Sequence, residues 1–126
     1  MKRLWISLAV LGLTAAASLY SGSHLSRLST HMGTLLEQAE TAAIAGDWSR
    51  AAQLTDDAYE RWEKETVFLY STLRHTDTDS VYLYLKQAQC FAKEEDEHGY
   101  LTANSALQSK LWLMEEAEGL SIENVL

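Results

Sequence analysis

His75, Asp77 and Asp79 are the residues of this 126-residue chain best suited to chemistry. An imidazole and two carboxylates suit zinc or manganese. The same spacing of two at the start of a helix is what capping produces, because acidic side chains there meet free backbone N–H groups and the helix dipole. Capping is the reading adopted, so a small metal-dependent enzyme is the last of three functional expectations. His24 and His31 share a helix face, as surface residues or as a weak metal or pH-sensitive pair. His98, beside Gly99, reads as a loop residue. Glu94, Glu95, Asp96 and Glu97 lack the glycine-punctuated loop of a calcium site and read as a solvated helix end. Cys90 is the single cysteine. It excludes an intramolecular disulfide and a cysteine zinc cluster, and it reads as a small buried hydrophobe. No nucleophile elbow, phosphate loop or histidine-cysteine pair occurs. No catalytic, cofactor-binding or metal residue is assigned, and no cofactor is expected.

The aromatic residues are the other candidates. Trp48, Trp62, Trp112, Tyr59, Tyr82, Tyr84 and Tyr100 are many for a small domain. Core packing accounts for them first. Some could instead line a groove that takes a partner helix or peptide.

These side chains must be positioned by helices. Proline is absent and only six glycines occur, so long helices are not interrupted. From His24 to Ala45, Leu25, Leu28, Met32, Leu35, Ala39 and Ala42 recur at steps of three and four, which puts them on one face. Gly46 suits the left-handed position after a helix, and Asp47 suits the N-cap of the next. That second helix is expected over Trp48–Leu73, with Trp48, Ala51, Thr55, Ala58, Trp62 and Leu69 on one stripe. Asp56, Asp57, Glu60, Glu63, Lys64 and Glu65 would face water. Thr76, Asp77 and Thr78 then cap a third helix over Asp79–Asp96, with a seam of Val81, Leu85, Ala88 and Ala92. A fourth is expected over Tyr100–Glu118, with Tyr100, Leu107, Leu111 and Met114 inward and Asn104 interrupting the seam. Gly119 would stop it, leaving Leu120–Leu126 as a tail. Short connections force antiparallel neighbours. The fold class is therefore all-α: an N-terminal membrane helix, then an antiparallel four-helix bundle or a pair of helical hairpins.

The N-terminus carries an address. Lys2 and Arg3 precede Leu4–Tyr20, an uncharged and mostly apolar run at the lower limit for spanning a bilayer. Basic residues before it place the N-terminus in the cytoplasm and the rest outside. Residues 1–22 are read as a transmembrane signal anchor, or as a signal peptide cleaved near Ala15-Ala16-Ala17 or Ser21-Gly22-Ser23. Residues 23–126 form the extracytoplasmic domain. From residue 37 on, eighteen acidic residues stand against seven Lys and Arg, a net of −11. A domain so acidic has no footprint for nucleic acid and is repelled by anionic headgroups.

Gly46 to Trp62 also looks like half of a tetratricopeptide repeat, through Gly46-Asp47-Trp48, Ala51 and Ala58. Thr55 stands where a large aromatic is usual, no proline closes the unit, and Gly99-Tyr100 with Ala103 is a weak second match. A solenoid needs about three units to bury its faces, so a hairpin within a bundle is preferred.

The pattern as a whole resembles the small single-pass bacterial membrane proteins of domain-of-unknown-function family 4363. The carriers are Trp48 after Gly46-Asp47, Trp62 mid-helix, His75 with Asp77 and Asp79, and the ending Glu115 to Leu126. That ending fits the Leu-Ser-x-x-Asn-aliphatic tail of members, with Asn124 as its asparagine. The isoleucine-proline that members often carry before it is absent. The resemblance implies a membrane-anchored helical domain without established activity. Trp48, Trp62, His75, Asp77, Asp79 and Asn124 are its structural or interaction residues.

The functional expectation is a non-enzymatic domain at the cell membrane that binds another membrane protein or itself. The alternatives are an extracytoplasmic ligand-binding or sensory domain and, more remotely, tetratricopeptide-like peptide binding.

Overall fold

The absence of proline and the run of good helix formers at the N-terminus produce one long helix. The computed structural model describes residues 2–65, 69 and 75–125, with the side-chain surroundings of residues 18, 21, 22, 75 and 118–125 outside the description. Among the described residues four helices have both ends defined: α1 (Lys2–Ile44), α2 (Trp48–Lys64), α3 (His75–Lys93) and α4 (Glu97–Val125). No strand occurs among them.

α1 and α2 meet as expected. Gly46 has φ +81°. Its N–H donates to Ala43 O at 3.0 Å and that of Asp47 to Ala42 O at 2.8 Å, which closes the helix with a left-handed residue after it. Asp47 then caps α2, its carboxylate accepting from the Arg50 N–H at 3.2 Å. The α3–α4 turn repeats this design with a non-glycine residue. Glu95 takes the left-handed position at φ 54°, and Asp96 N donates to Phe91 O at 3.0 Å. Asp96 caps α4 by accepting from the Gly99 N–H at 3.0 Å. His98 accordingly sits in the first turn of α4 and not in a loop.

Helix boundaries differ from expectation at several places; α3 ends at Lys93 and not at Asp96, and α4 begins at Glu97 and not at Tyr100. α2 ends at Lys64 and not at Leu73. The Glu65 N–H turns back to Trp62 O at 3.1 Å. The apolar run 67–73 lies outside the described residues except for Leu69, which is fully buried. α3 begins at His75, so Thr76, Asp77 and Thr78 lie inside it and do not precede it as caps. Packing overrides capping here, because Thr78 is wholly buried. α4 runs on through Gly119 to Val125, so no separate tail follows that glycine. A helical glycine costs only about 1 kcal/mol relative to alanine and stops a helix only with the proper cap geometry.

The helices form an antiparallel four-helix bundle in which each packs on two neighbours, in the cyclic order α1–α2–α3–α4. Polar pairs fix the register: His24 to Glu65, Gln89 to Asp56, Lys110 to Asp77 and Ser26 to Glu115. The closing contact between first and last helices distinguishes it from an open solenoid. The expected seams are in the core, with Leu35 half-buried and Leu36 and Ala43 buried in addition. On α2 the expected acidic face is exposed except at Glu65, which is half-buried against His24.

The two hairpins are equivalent position by position. Adding 49 to the buried residues Met32, Leu36, Ala39 and Ala43 of α1 gives Val81, Leu85, Ala88 and Ala92 of α3, all buried. The same offset carries Ala51, Leu54, Thr55, Ala58 and Trp62 of α2 onto Tyr100, Ala103, Asn104, Leu107 and Leu111 of α4, again all buried. Tyr100 thus corresponds to Ala51, and not to Trp48 as the half-repeat reading implied.

α1 extends beyond the bundle. From Leu4 to Tyr20 it exposes Leu4, Trp5, Ile6, Leu8 and further large apolar residues on every side. Among the described residues no helix is long and apolar enough to cross a membrane. Ser18, inside that run, is one of the side chains outside the description.

Candidate functional site

The described residues with chemical potential do not converge on one site. The Asp77 carboxylate accepts from Lys110 Nζ at 2.7 Å, which ties α3 to α4. Asp79, exposed on the same turn, also has an interaction partner. The side chain of His75 lies outside the description, as does that of Asn124. Among the described residues no three His, Cys, Asp or Glu converge on a metal position. His24 and His31 have different surroundings: His24 is half-buried, 2.7 Å from Glu65 Oε2 and stacked on Tyr20, whereas His31 is exposed. Glu94, Glu95, Asp96 and Glu97 are all exposed, as read. Cys90 is exposed too, contrary to expectation, because the α3 seam passes through Ala88 and Ala92 and leaves position 90 on the outer face. Of the two tryptophans, Trp62 is buried in the core and Trp48 is half-buried, its ring edge-on to Tyr100 at 5.8 Å.

Asn104 was expected only to interrupt a seam. It is instead the centre of a buried polar chain. Thr55 Oγ1 donates to Ala51 O at 2.7 Å, so the Tyr100 hydroxyl, 2.6 Å from the same oxygen, is the donor to it. Asn104 Nδ2 donates to Leu36 O at 3.0 Å and, more weakly, to Tyr100 Oη at 3.5 Å. Gln108 Nε2 donates to Asn104 Oδ1 at 2.7 Å and to Glu40 Oε2 at 3.4 Å. Every step uses a different proton, so the chain is satisfied across three helices. Burial raises the Tyr100 pKa, and the hydrogen bonds with Thr55 and Asn104 oppose that shift. The network is fully occupied with itself, which makes it a register device and not an open site.

The open surfaces lie on the outside, and the equivalence of the hairpins organises them. At the α2–α3 contact, Tyr59 and Tyr82 rings lie 6.2 Å apart, and Lys86 Nζ sits 4.2 Å from the Tyr59 ring. A hydrogen bond with Glu63, then partial burial, pushes the Tyr59 pKa up to about 12. The equivalent places at the α1–α4 contact hold Gln108 for Tyr59, Gly33 for Tyr82, Glu37 for Lys86 and Trp112 for Glu63. Here the cluster is missing and a groove of about 210 Å³ takes its place. A Cβ added at Gly33 would meet nothing within 4 Å. Trp112 on its wall is 60% exposed and Leu113 beside it 54%. Glu37 and Glu115 line the groove, with no Lys or Arg in the lining. Ser29, also in the wall, is 7% exposed, and its hydroxyl finds no partner. An unsatisfied hydroxyl of this kind costs about 1–3 kcal/mol. A second, mainly apolar groove of about 360 Å³ lies between α3 and α4, lined by Tyr84, Phe91 and Gly99 among others. Trp112 was the sequence signal for the first groove, but the notch at Gly33 needed the pairing of α1 with α4 to be seen.

No curated protein and no solved structure matches the chain at a significant level. A family model does match, over residues 19–125. That span takes in α1 from residue 19 onward and the whole of α2, α3 and α4, including both helix-turn motifs, Trp48, Trp62 and Asn124. On that match the chain belongs to the family described as Domain of unknown function (DUF4363).

Proposed function

We propose that this chain is a membrane-tethered, non-enzymatic helical domain displayed outside the cytoplasm, where it binds another membrane protein. The observation that carries the reading is the division of α1. One half buries an apolar seam in the bundle, and the other exposes large apolar side chains all round over Leu4–Tyr20. Burial of about 1.5–3 kcal/mol per such side chain gives a strong drive out of water. The 17-residue run is about 26 Å long as a helix, close to the ~30 Å hydrocarbon core. Lys2 and Arg3 set the orientation. The non-enzymatic part of the reading rests on the buried chain of Thr55, Tyr100, Asn104 and Gln108, whose polar groups are engaged with one another.

Alkaline carbonate extraction of native membranes, with protease accessibility from each side, tests the tether. Retention in the pellet with the domain accessible only from outside is expected; release into the supernatant overturns the tether. In-membrane crosslinking tests the partner, and a domain that crosslinks to nothing argues against an interaction role.

The α3–α4 groove favours a second reading, a ligand-binding or sensory domain. Its volume is within the range of small-molecule sites. A thermal-shift screen with small apolar ligands tests it, with Ala106→Trp as the blocking variant. A rise in Tm that survives this substitution would remove the groove from consideration.

A further inference from the structure

We propose that the α1–α4 groove around Gly33 and Trp112 is the docking site for a cationic amphipathic helix of a partner protein. This deepens the reading of the chain as an interaction domain and rests on it. The two hairpins place the α1–α4 and α2–α3 contacts in equivalent positions, and the chain shows how one of them is covered. There Tyr82 supplies an aromatic ring and Lys86 a cation over Tyr59. The other lacks both: Gly33 stands for Tyr82, and Glu37 for Lys86. The complement of that vacancy is a large apolar side chain with a positive charge about one helical turn away, which is one face of a basic amphipathic helix.

Charge selects the same partner. Glu37 and Glu115 line the groove, and neither is paired with Lys, Arg or His among the described residues. The apolar anchor is present in Trp112 with Leu113. The wall holds the unpartnered hydroxyl of Ser29, whereas its equivalent Thr78 has a partner. A second copy of this chain would bring the same unneutralised carboxylates face to face, so a basic partner is favoured over self-association.

The probe is a fluorescent peptide of leucine and lysine at heptad spacing, with a leucine-glutamate peptide as its counterpart. Each is titrated against the full chain in zwitterionic nanodiscs, with empty discs as background. Saturable binding of the basic peptide alone is expected. Gly33→Leu fills an open notch, and Glu37→Lys changes an exposed side chain, so both keep the fold. Each should weaken binding by at least about tenfold. Glu60→Lys, on the outer face of α2, should change it by less than about twofold. The proposal is overturned by equal binding of the acidic peptide, by equal loss in Glu60→Lys and Glu37→Lys, or by no effect of Gly33→Leu. A disc population holding two associated copies that Gly33→Leu separates would assign the groove to self-association instead. Failure of the chain to enter discs counts against the tether, and the titration in buffer still decides the groove.

Discussion

The side-chain amide of Asn104 donates to the main-chain carbonyl of Leu36 at 3.0 Å, across the contact between the first and last helices. A slide or rotation of α4 on α1 breaks that bond and the one from Gln108 Nε2 to Glu40 Oε2. Asn104→Ala is therefore expected to destabilise the bundle by about 2–3 kcal/mol, measured by urea unfolding. Asn104→Leu should recover much of that loss while broadening the amide NMR spectrum, because an apolar core no longer specifies one register. Equal stability of Asn104→Ala and the wild type would show that the network is incidental.

Alkaline pH should loosen the fold through two tyrosines. Tyr59 has its pKa raised from 10.0 to about 12, and that of Tyr100 is raised by burial. Both phenols are held neutral in the folded state. Their contribution is present in full below the unfolded value near 10 and is lost as pH rises through the folded values. Tyrosinate absorbance should show late-titrating groups, and Tyr59→Phe should remove one. If all tyrosines titrate together at the ordinary value while the fold persists, the described environments are wrong.

The glycines and the left-handed turns give opposite signs. A Cβ at Gly99 would lie 2.6 Å from two ring carbons of Phe91, so Gly99→Ala should cost about 1–3 kcal/mol. Gly33→Ala meets open space and should stabilise by about 0.5–1 kcal/mol. Glu95, left-handed at φ 54°, should gain about 1 kcal/mol on replacement by glycine, whereas Gly46→Ala should lose a similar amount. Thermal unfolding of the four single variants reads all of these.

The tryptophans rank by burial. Trp62→Ala should cost about 3–5 kcal/mol, since only 3% of that residue is exposed. Trp48→Ala should cost less, because half-buried Trp48 loses mainly its edge contact with Tyr100. Trp112→Ala should leave stability within about 0.5 kcal/mol of wild type. A large loss there would place Trp112 in the core.

The bundle could be read from the sequence because its seams obey helical spacing without interruption: Leu25 to Ala42 and Val81 to Ala92 needed nothing more. Gly46-Asp47 was legible for the same local reason, a left-handed glycine followed by a cap. Boundaries set by tertiary packing were not. His75 opens α3 because Thr78 has a place in the core, and Gly119 does not stop α4. Asn104 looked like a defect because its partner, a main-chain carbonyl 68 residues earlier in the chain, has no sequence signature. The candidate groove was hidden more deeply. Its meaning lies in the correspondence of Gly33 with Tyr82 and Glu37 with Lys86, residues with no chemical similarity at all.

α1 runs from Lys2 to Ile44 without a break in its helix. At about 1.5 Å per residue it is a rod of roughly 65 Å, with no swivel between its apolar end and the bundle. Were Leu4–Tyr20 held in a membrane, as proposed, that grip would set the direction faced by Trp112. Inserting one residue between the two parts would turn the bundle by about 100° relative to that grip and aim the groove elsewhere. So held, the chain would act as a shaft with a keyed head, in which azimuth as well as distance is inherited from the far end.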